Sequence, residues 1–219
     1  PWAIRGVVGR KPTLGCVSRH GIVPLGGSLE TVGPMTRTVE DAAIMLEVLA
    51  GRDSKDVTCS RRSVPDYTKS LSGDIRGLQI GLPRRYFYEA LHPDVERAVT
   101  EALAVLERLG AAVREVVSFP SIGQLGIIAL EAAAFHDPWM RSRPQDHGAD
   151  VRLLLERARL LLAKDYVRAQ QERTAISLEY ARLMEQVDVL VTPSGPAPSP
   201  LTAGERISLG GEQADAHAG

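Results

Sequence analysis

Between Gly6 and Pro34 the chain carries seven glycines (Gly6, Gly9, Gly15, Gly21, Gly26, Gly27, Gly33) and three prolines (Pro12, Pro24, Pro34). Glycine at that density marks turns with positive φ or backbone lying close to another group. Each proline fixes φ and removes an amide donor, so neither a long helix nor a central strand can run through this stretch. Short β pieces at Val7-Val8 and Cys16-Val17-Ser18, separated by tight turns, are what remains. Order is predicted to resume at Thr38, a helix N-cap, with Asp41 three residues on and Glu40 beside it at the positive helix end. Ala42, Met45, Leu46, Leu49 and Ala50 then follow at helical spacing until Gly51.

Beyond this stretch the sequence reads as α/β framework. Arg52–Ser63 is polar and predicts a surface connection. Leu78–Leu82 predicts a short strand closed by Pro83. Pro93 opens a helix with Asp94 and Glu96 near its positive end. Val95, Val99, Ala102, Leu106 and Leu109 give that helix one apolar face, and Gly110 ends it. Ala111–Val117 returns as a strand, making a βαβ unit over a parallel pair. A helix is expected over Ile122–Phe135, a loop over Asp137–Gly148, and two helices between Asp150 and Glu185 with a break near Lys164-Asp165. Val187–Thr192 predicts a buried strand stopped by Pro193. The Pro-, Gly- and Ala-rich tail from Ser194 to Gly219 is expected to lack a core and to be disordered.

The segments GVVGRKPT and GCVSRHGIVPLGGSLETVGPMTRTVEDAA resemble the amidase signature family, which includes small-molecule amidases and the glutamyl-tRNA amidotransferase A chain. GLPRRYF, HPDVERAV, LERLGAAV, EAAAFH, DYVRAQQERT and VDVLVTPSGPAPSP agree with it in order. The resemblance implies part of an α/β/α fold with a mixed central sheet covered by helices. It divides the chain into a truncated amidase-signature domain, 1–193, and the polar tail, 194–219. It also implies carboxamide hydrolysis by acyl transfer through a serine, a second serine and a lysine, with no cofactor. All three of those residues belong upstream of the segment that Pro1 matches, so the chain is expected to be an interior fragment that is itself inactive. The family's usual Phe-Cys before the first glycine run is Ile4-Arg5 here, and its usual Asp after Ser-Leu is Glu30. At Val151–Leu155 a single arginine stands where the tRNA-dependent members carry a pair. These departures favour a general amidase over a glutamyl-tRNA amidotransferase component. The alternative from another class is a non-catalytic remnant or interaction module.

No catalytic, cofactor-binding or metal residue is therefore assigned. Gly26-Gly27-Ser28 copies the look of the nucleophile loop, but its context matches framework downstream of that loop. Lys11 matches a structural turn, and Gly6-x-x-Gly9-x-Lys11 lacks P-loop spacing. His20, His92, His136, His147 and His217 show no metal-ligand spacing, and a triad of His136 with Asp137 has no nucleophile. By the resemblance, Glu131 and His136 run near the cleft of the parent enzyme. Asp165–Arg173 reads as a solvated or packing face, and Trp2 and Trp139 as anchors. A nucleotide-binding domain is disfavoured because no glycine fingerprint opens a helix.

Composition narrows the partners. With 26 basic and 27 acidic residues the net charge is -1, which gives no drive toward nucleic acid or anionic membrane. No apolar run reaches membrane-spanning length and no basic-then-apolar leader opens the chain. Cys16 and Cys59 suit free thiols in a reducing cytoplasm. The expected partner is a small-molecule amide in the parent protein, with oligomerisation or aggregation through exposed sheet edges of the fragment.

Overall fold

The computed structural model describes residues 3–117, 125–198, 206–209 and 212–215. In chain order the elements are β1 (Val8–Gly9), β2 (Met35–Thr36), α1 (Val39–Leu49), β3 (Gln79–Leu82), the distorted turn α2 (Arg84–Phe87), α3 (Pro93–Arg108), β4 (Ala112–Glu115), α4 (Leu125–Ser142), α5 (Ala149–Ala158), α6 (Ala163–Met184), β5 (Val189–Leu190), β6 (Arg206–Leu209) and β7 (Glu212–Asp215). The backbone separates into two compact units, one of residues 1–8, 71–121 and 176–219 and one of residues 9–70 and 122–175. Trp2 and His217 lie outside the described residues.

The first unit holds the α/β sheet. β3 pairs in parallel with β4, Gln79 opposite Ala112 through Leu82 opposite Glu115. β5 pairs in parallel with the other edge of β3, Ile80 opposite Val189. The order β4-β3-β5 is parallel throughout, so the mixed character expected of the central sheet is not seen among these described strands. The expected βαβ unit is present. Pro93 opens α3 behind His92, whose Nδ1 accepts from the Asp94 amide at 3.2 Å. Ile80, Leu82 and Ala111 are buried, and Leu103 and Leu106 of α3 pack onto them. No residue of α3 is itself fully buried. Gly110 takes φ +98° to turn the chain from α3 into β4, a region that side chains rarely adopt. Of the Val187–Thr192 run only two residues are strand, because β5 is an edge whose partner register ends there. Within the tail, β6 and β7 pair antiparallel, Arg206 opposite Asp215 through Leu209 opposite Glu212.

In the second unit, Thr38 caps α1 as expected, its Oγ1 accepting from the Asp41 amide at 3.0 Å. Ala42, Ala43 and Leu46 form its buried stripe. Ala50 then turns to extended backbone and bridges Val17, the only trace among the described residues of the strand expected at Cys16–Ser18. The Arg52–Ser63 connection is more ordered than its polarity suggests. Ser18 Oγ donates to Asp53 at 2.7 Å, the Arg19 amide donates to Asp56 at 2.8 Å, and the Ser60 amide donates to the Gly15 carbonyl at 2.8 Å. The Thr58 hydroxyl, with the Arg19 and Thr58 amides, holds the Asp56 carboxyl at about 2, below the usual range.

The helix expected to end at Phe135 continues through Pro138 to Ser142. An internal proline removes one i→i−4 bond, and here other contacts compensate. Met140 packs with Ala132, Ala133, Leu155 and Ala158 in one buried cluster that joins α4 to α5. Asp137 pairs with Arg141 at 2.7 Å on the same helix and with Arg159 just after α5. Only Arg143–Gly148 remains of the predicted loop. The break between α5 and α6 falls at Arg159–Leu162, where Asp165 accepts from the Leu162 amide at 3.1 Å.

Gly33 shows why this region tolerates so few side chains. A Cβ there would lie 1.8 Å from the Arg10 carbonyl oxygen and 2.8 Å from Pro12 Cδ, whereas at Gly27 the nearest atom is Glu131 Oε2 at 4.0 Å. Gly33→Ala is expected to lower stability by about 2–3 kcal/mol through overpacking against backbone, and Gly27→Ala by less than about 1 kcal/mol. Urea denaturation of both variants measures the difference, and equal losses would refute it.

Candidate functional site

The Gly26–Ser28 turn cannot hold itself, because two glycines supply no side chain to pack. Three elements of its own unit hold it instead. Glu131, in the first half of α4, accepts the Ser28 amide on Oε2 at 2.7 Å. Its other oxygen accepts the Tyr166 hydroxyl at 2.9 Å, and Gln170 Nε2 donates to that hydroxyl at 2.9 Å. Arg173 then grips Ser28 twice, Nη1 donating to Oγ and Nη2 to the carbonyl oxygen, each at 3.0 Å. Gly26 presses against Ile128 of α4, where a Cβ would stand 3.2 Å from Cγ1. The Arg19 guanidinium also donates to the Gly27 carbonyl and to Thr58 Oγ1.

The charge of this network follows from its contacts. Burial pushes the Glu131 carboxyl upward, but the Ser28 hydroxyl and amide, the Tyr166 hydroxyl and the Arg173 charge together outweigh it and leave it below the ordinary value of 4.5. The same carboxylate holds the Tyr166 hydroxyl in its protonated form, raising its pKa. An ionised acceptor with two donors and a nearby guanidinium is a charge-assisted arrangement, worth more than neutral bonds of the same geometry. It fixes a turn. Ser28 Oγ receives a donor from the Arg173 guanidinium, and its hydroxyl also faces the Glu131 carboxylate that anchors the turn.

The residues weighed from sequence are placed as follows. Glu131 belongs to the network. Ser28 is the residue that the network holds. Lys11 is exposed. His136 takes no part in the network and meets His147, whose Nε2 lies 3.2 Å from its Nδ1. Asp137 is committed to Arg141 and Arg159, so the triad of His136 with Asp137 is not assembled. His92 is a helix cap and His20 is exposed. Cys16 and Cys59 are free thiols, with Cys16 Sγ 3.7 Å from the Tyr67 hydroxyl. Trp139 packs on Phe135 and His136 rather than standing alone. The residues missed were Tyr166, Gln170 and Arg173. Their steps of four and three put them on one helix face, and that spacing was the available signal.

One unit thus carries a parallel sheet with a βαβ unit, and the other a glycine turn pinned by a helix carboxylate and a helix guanidinium. Residues 1–213 match the profile of the family described as Amidase. The chain belongs to the amidase family. It is 39% identical over 232 residues to the glutamyl-tRNA(Gln) amidotransferase A chain of Geotalea daltonii, an alignment covering 93% of this chain and 47% of that protein. It is also 39% identical over 213 residues to an amidase of Pseudomonas putida, covering 94% of this chain and 45% of that one. A crystal structure of an amidase superposes with a TM-score of 0.81 at 31% identity, covering 97% of this chain and 46% of its own. The chain thus spans about half the length of the relatives it matches. Among the described residues no helix is long and apolar enough to cross a membrane.

Because the Glu131 carboxyl is lowered on folding, it adds stability above its unfolded pKa and that stability is lost as pH falls through the folded value. Acid titration of stability should therefore show a loss that begins near pH 4.5 and deepens below it. Glu131→Gln is expected to cost about 1–3 kcal/mol at neutral pH and to flatten that acid limb. Urea midpoints at stepped pH measure both. A variant with an unchanged acid limb would show that Glu131 is not the titrating group.

Proposed function

We propose that this chain is the framework portion of a carboxamide-hydrolysing amidase, and that the acyl-transfer residues belong to the part of the domain outside these residues. The observation that carries the reading is the match to an amidase along 94% of the chain at 39% identity. In the whole enzyme a serine would add to the amide carbonyl. A second serine and a lysine would pass its proton to the leaving nitrogen, and water would release the acid, with ammonia as the other product for a primary amide. Backbone amides of a glycine-rich loop would hold the oxyanion, the largest electrostatic contribution to such steps. No metal or organic cofactor enters that scheme.

The residues described here fit a supporting role. Ser28 is bound through its amide, its hydroxyl and its carbonyl, which suits a structural turn and not a nucleophile. Equal identity to an amidase and to an amidotransferase component leaves the substrate to sequence detail, and Ile4-Arg5 and Glu30 favour a general amidase. Large apolar side chains left open, such as Val48 at 82% and Val117 at 85% exposure, support association of the isolated chain, either with the rest of the domain or with itself. Free thiols at Cys16 and Cys59 support a cytoplasmic setting.

The 219-residue chain is expected to release no ammonia from simple carboxamides, whereas a protein that also carries the remaining half of the domain is expected to turn them over. Ser28→Ala in that longer protein should retain its kcat within about threefold, since its hydroxyl is taken up in holding the turn against Arg173 and Glu131. Ammonia release by the chain alone, abolished by Ser28→Ala, would overturn the reading.

A further inference from the structure

From Leu153 to Arg168 the chain passes out of α5 and into α6, and it turns one continuous strip outward. On α5, Leu155 and Ala158 are buried against α4. Leu153 and Arg157 each stand two residues from Leu155, about 200° around the helix, and so face away from that contact. On α6, Tyr166 and Arg173 reach the glycine turn, so Lys164 and Arg168, two residues either side of Tyr166, lie on the opposite face. Between the helices Leu160, Leu161 and Leu162 are all exposed, Leu160 to 80% and Leu162 to 55%. Val167 continues the apolar strip onto α6. All of these residues belong to one compact unit.

The charge of this strip differs from that of the chain. Residues 152–168 hold five basic residues and two acidic ones, a net +3 inside a chain of net -1. Arg159 is taken by Asp137, but the side chains of Arg152, Arg157, Lys164 and Arg168 have no partner among the described residues. Asp165 is turned back to accept the Leu162 amide, which leaves Glu156 as the exposed acid of the strip. Leucines edged by unpaired cations suit a boundary between hydrocarbon and phosphate. The leucines enter the apolar side, while Arg and Lys stems lie along it and keep their charges among headgroups. A surface enclosed by more protein is instead depleted of charge, because each buried cation needs a partner. The exposed Ile44, Met45 and Val48 of α1 share their helix with Glu40, Asp41 and Glu47, the sign that an anionic surface repels.

We propose that the α5–α6 strip is a peripheral docking surface for a lipid bilayer carrying anionic headgroups, with Leu160–Leu162 entering the boundary between headgroups and acyl chains. The whole-chain charge gives no drive toward such a surface, whereas the local balance does. The strip lies on the bilayer and does not cross it, since no helix among the described residues is long and apolar enough to do so. None of these side chains takes part in the Glu131–Ser28 hydrogen bonds, so the surface does not rest on the amidase reading.

The test is co-sedimentation of the 219-residue chain with vesicles of equal parts phosphatidylcholine and phosphatidylglycerol, beside vesicles of phosphatidylcholine alone. Each basic residue at an anionic surface strengthens binding about fivefold. The mixed vesicles should therefore bind at least about tenfold more tightly, and lose that margin in about 1 M salt, where screening acts within about 3 Å. Arg157→Gln combined with Lys164→Gln should weaken binding at least about tenfold. Leu160→Asp combined with Leu162→Asp should abolish it below about 1 mM lipid, and Val48→Asp on α1 should leave it unchanged. Every substituted position is exposed, so far-UV circular dichroism of each variant should match the unchanged chain. Equal binding to both vesicles, undiminished binding of the Arg157→Gln, Lys164→Gln pair, or a loss with Val48→Asp as large as with the leucine pair would overturn the proposal. So would no binding below about 1 mM lipid, and a self-associated chain that the leucine pair renders monomeric would then assign the strip to a second copy instead.

Discussion

A carboxylate that accepts two donors at once organises the second unit. Glu131 takes the Ser28 amide on one oxygen and the Tyr166 hydroxyl on the other, so a glycine turn far away in sequence, α4 and α6 are joined through a single ionised group. The turn itself contributes almost nothing to its own stability. Glycine gives up more conformational freedom on folding than any other residue, and Gly26-Gly27 bury no side chain in return. Stability must therefore come from outside the turn, and bonds to charged groups supply it well because they are stronger and more directional than neutral ones. Arg173 completes the arrangement by gripping both the hydroxyl and the carbonyl of Ser28, which fixes the side chain as well as the backbone.

That arrangement bears on chemistry more than on folding. A serine available as a nucleophile needs a base to remove its proton and space in front of its oxygen. Ser28 Oγ accepts from the Arg173 guanidinium beside the Glu131 carboxylate that takes its own amide, so the hydroxyl is held within the turn. The local sequence Gly-Gly-Ser is thus the same word with a different grammar. A nucleophile loop points its hydroxyl outward, whereas this turn commits its hydroxyl, amide and carbonyl to holding the chain. The chain belongs to the amidase family and matches about half of its relatives' length.

Local signals were the legible ones. Thr38 with Asp41, Pro93 with Asp94, and Gly110 each specify a helix boundary within a few residues, and all three boundaries stand where the sequence placed them. The βαβ unit followed because its apolar periodicity and its stop signals agree. What was not legible depended on distant partners. Pro138 reads as a helix breaker, yet the buried Met140 and the Asp137 pairs carry α4 past it. Arg52–Ser63 reads as free surface, yet Asp53 and Asp56 are acceptors for Ser18 and Arg19. Tyr166, Gln170 and Arg173 shared a visible helix face, but nothing in their spacing named Ser28 and Glu131 as what that face would meet.

The contrast between α3 and α4 shows how far amphipathic patterning reaches. α3 has the cleaner apolar stripe, yet none of its residues is fully buried, and Leu103 and Leu106 are only partly covered where they pack on Ile80 and Leu82. α4 has a weaker pattern and a proline inside it, yet Ile127 and Ala132 are fully enclosed. Periodicity fixes which side of a helix turns inward, because it depends on the helix alone. Depth depends on how many other elements close over that side, and sequence spacing carries no term for them. In α4 the small residues Ala132 and Ala133 allow α5 to approach closely enough for Leu155 to fill the gap, so dense packing arises from a stretch whose apolar pattern is weak. Ala132 beneath Leu155 and Gly33 against Arg10 are places among the described residues where small side chains let other backbone come near, without a strong apolar stripe to mark them.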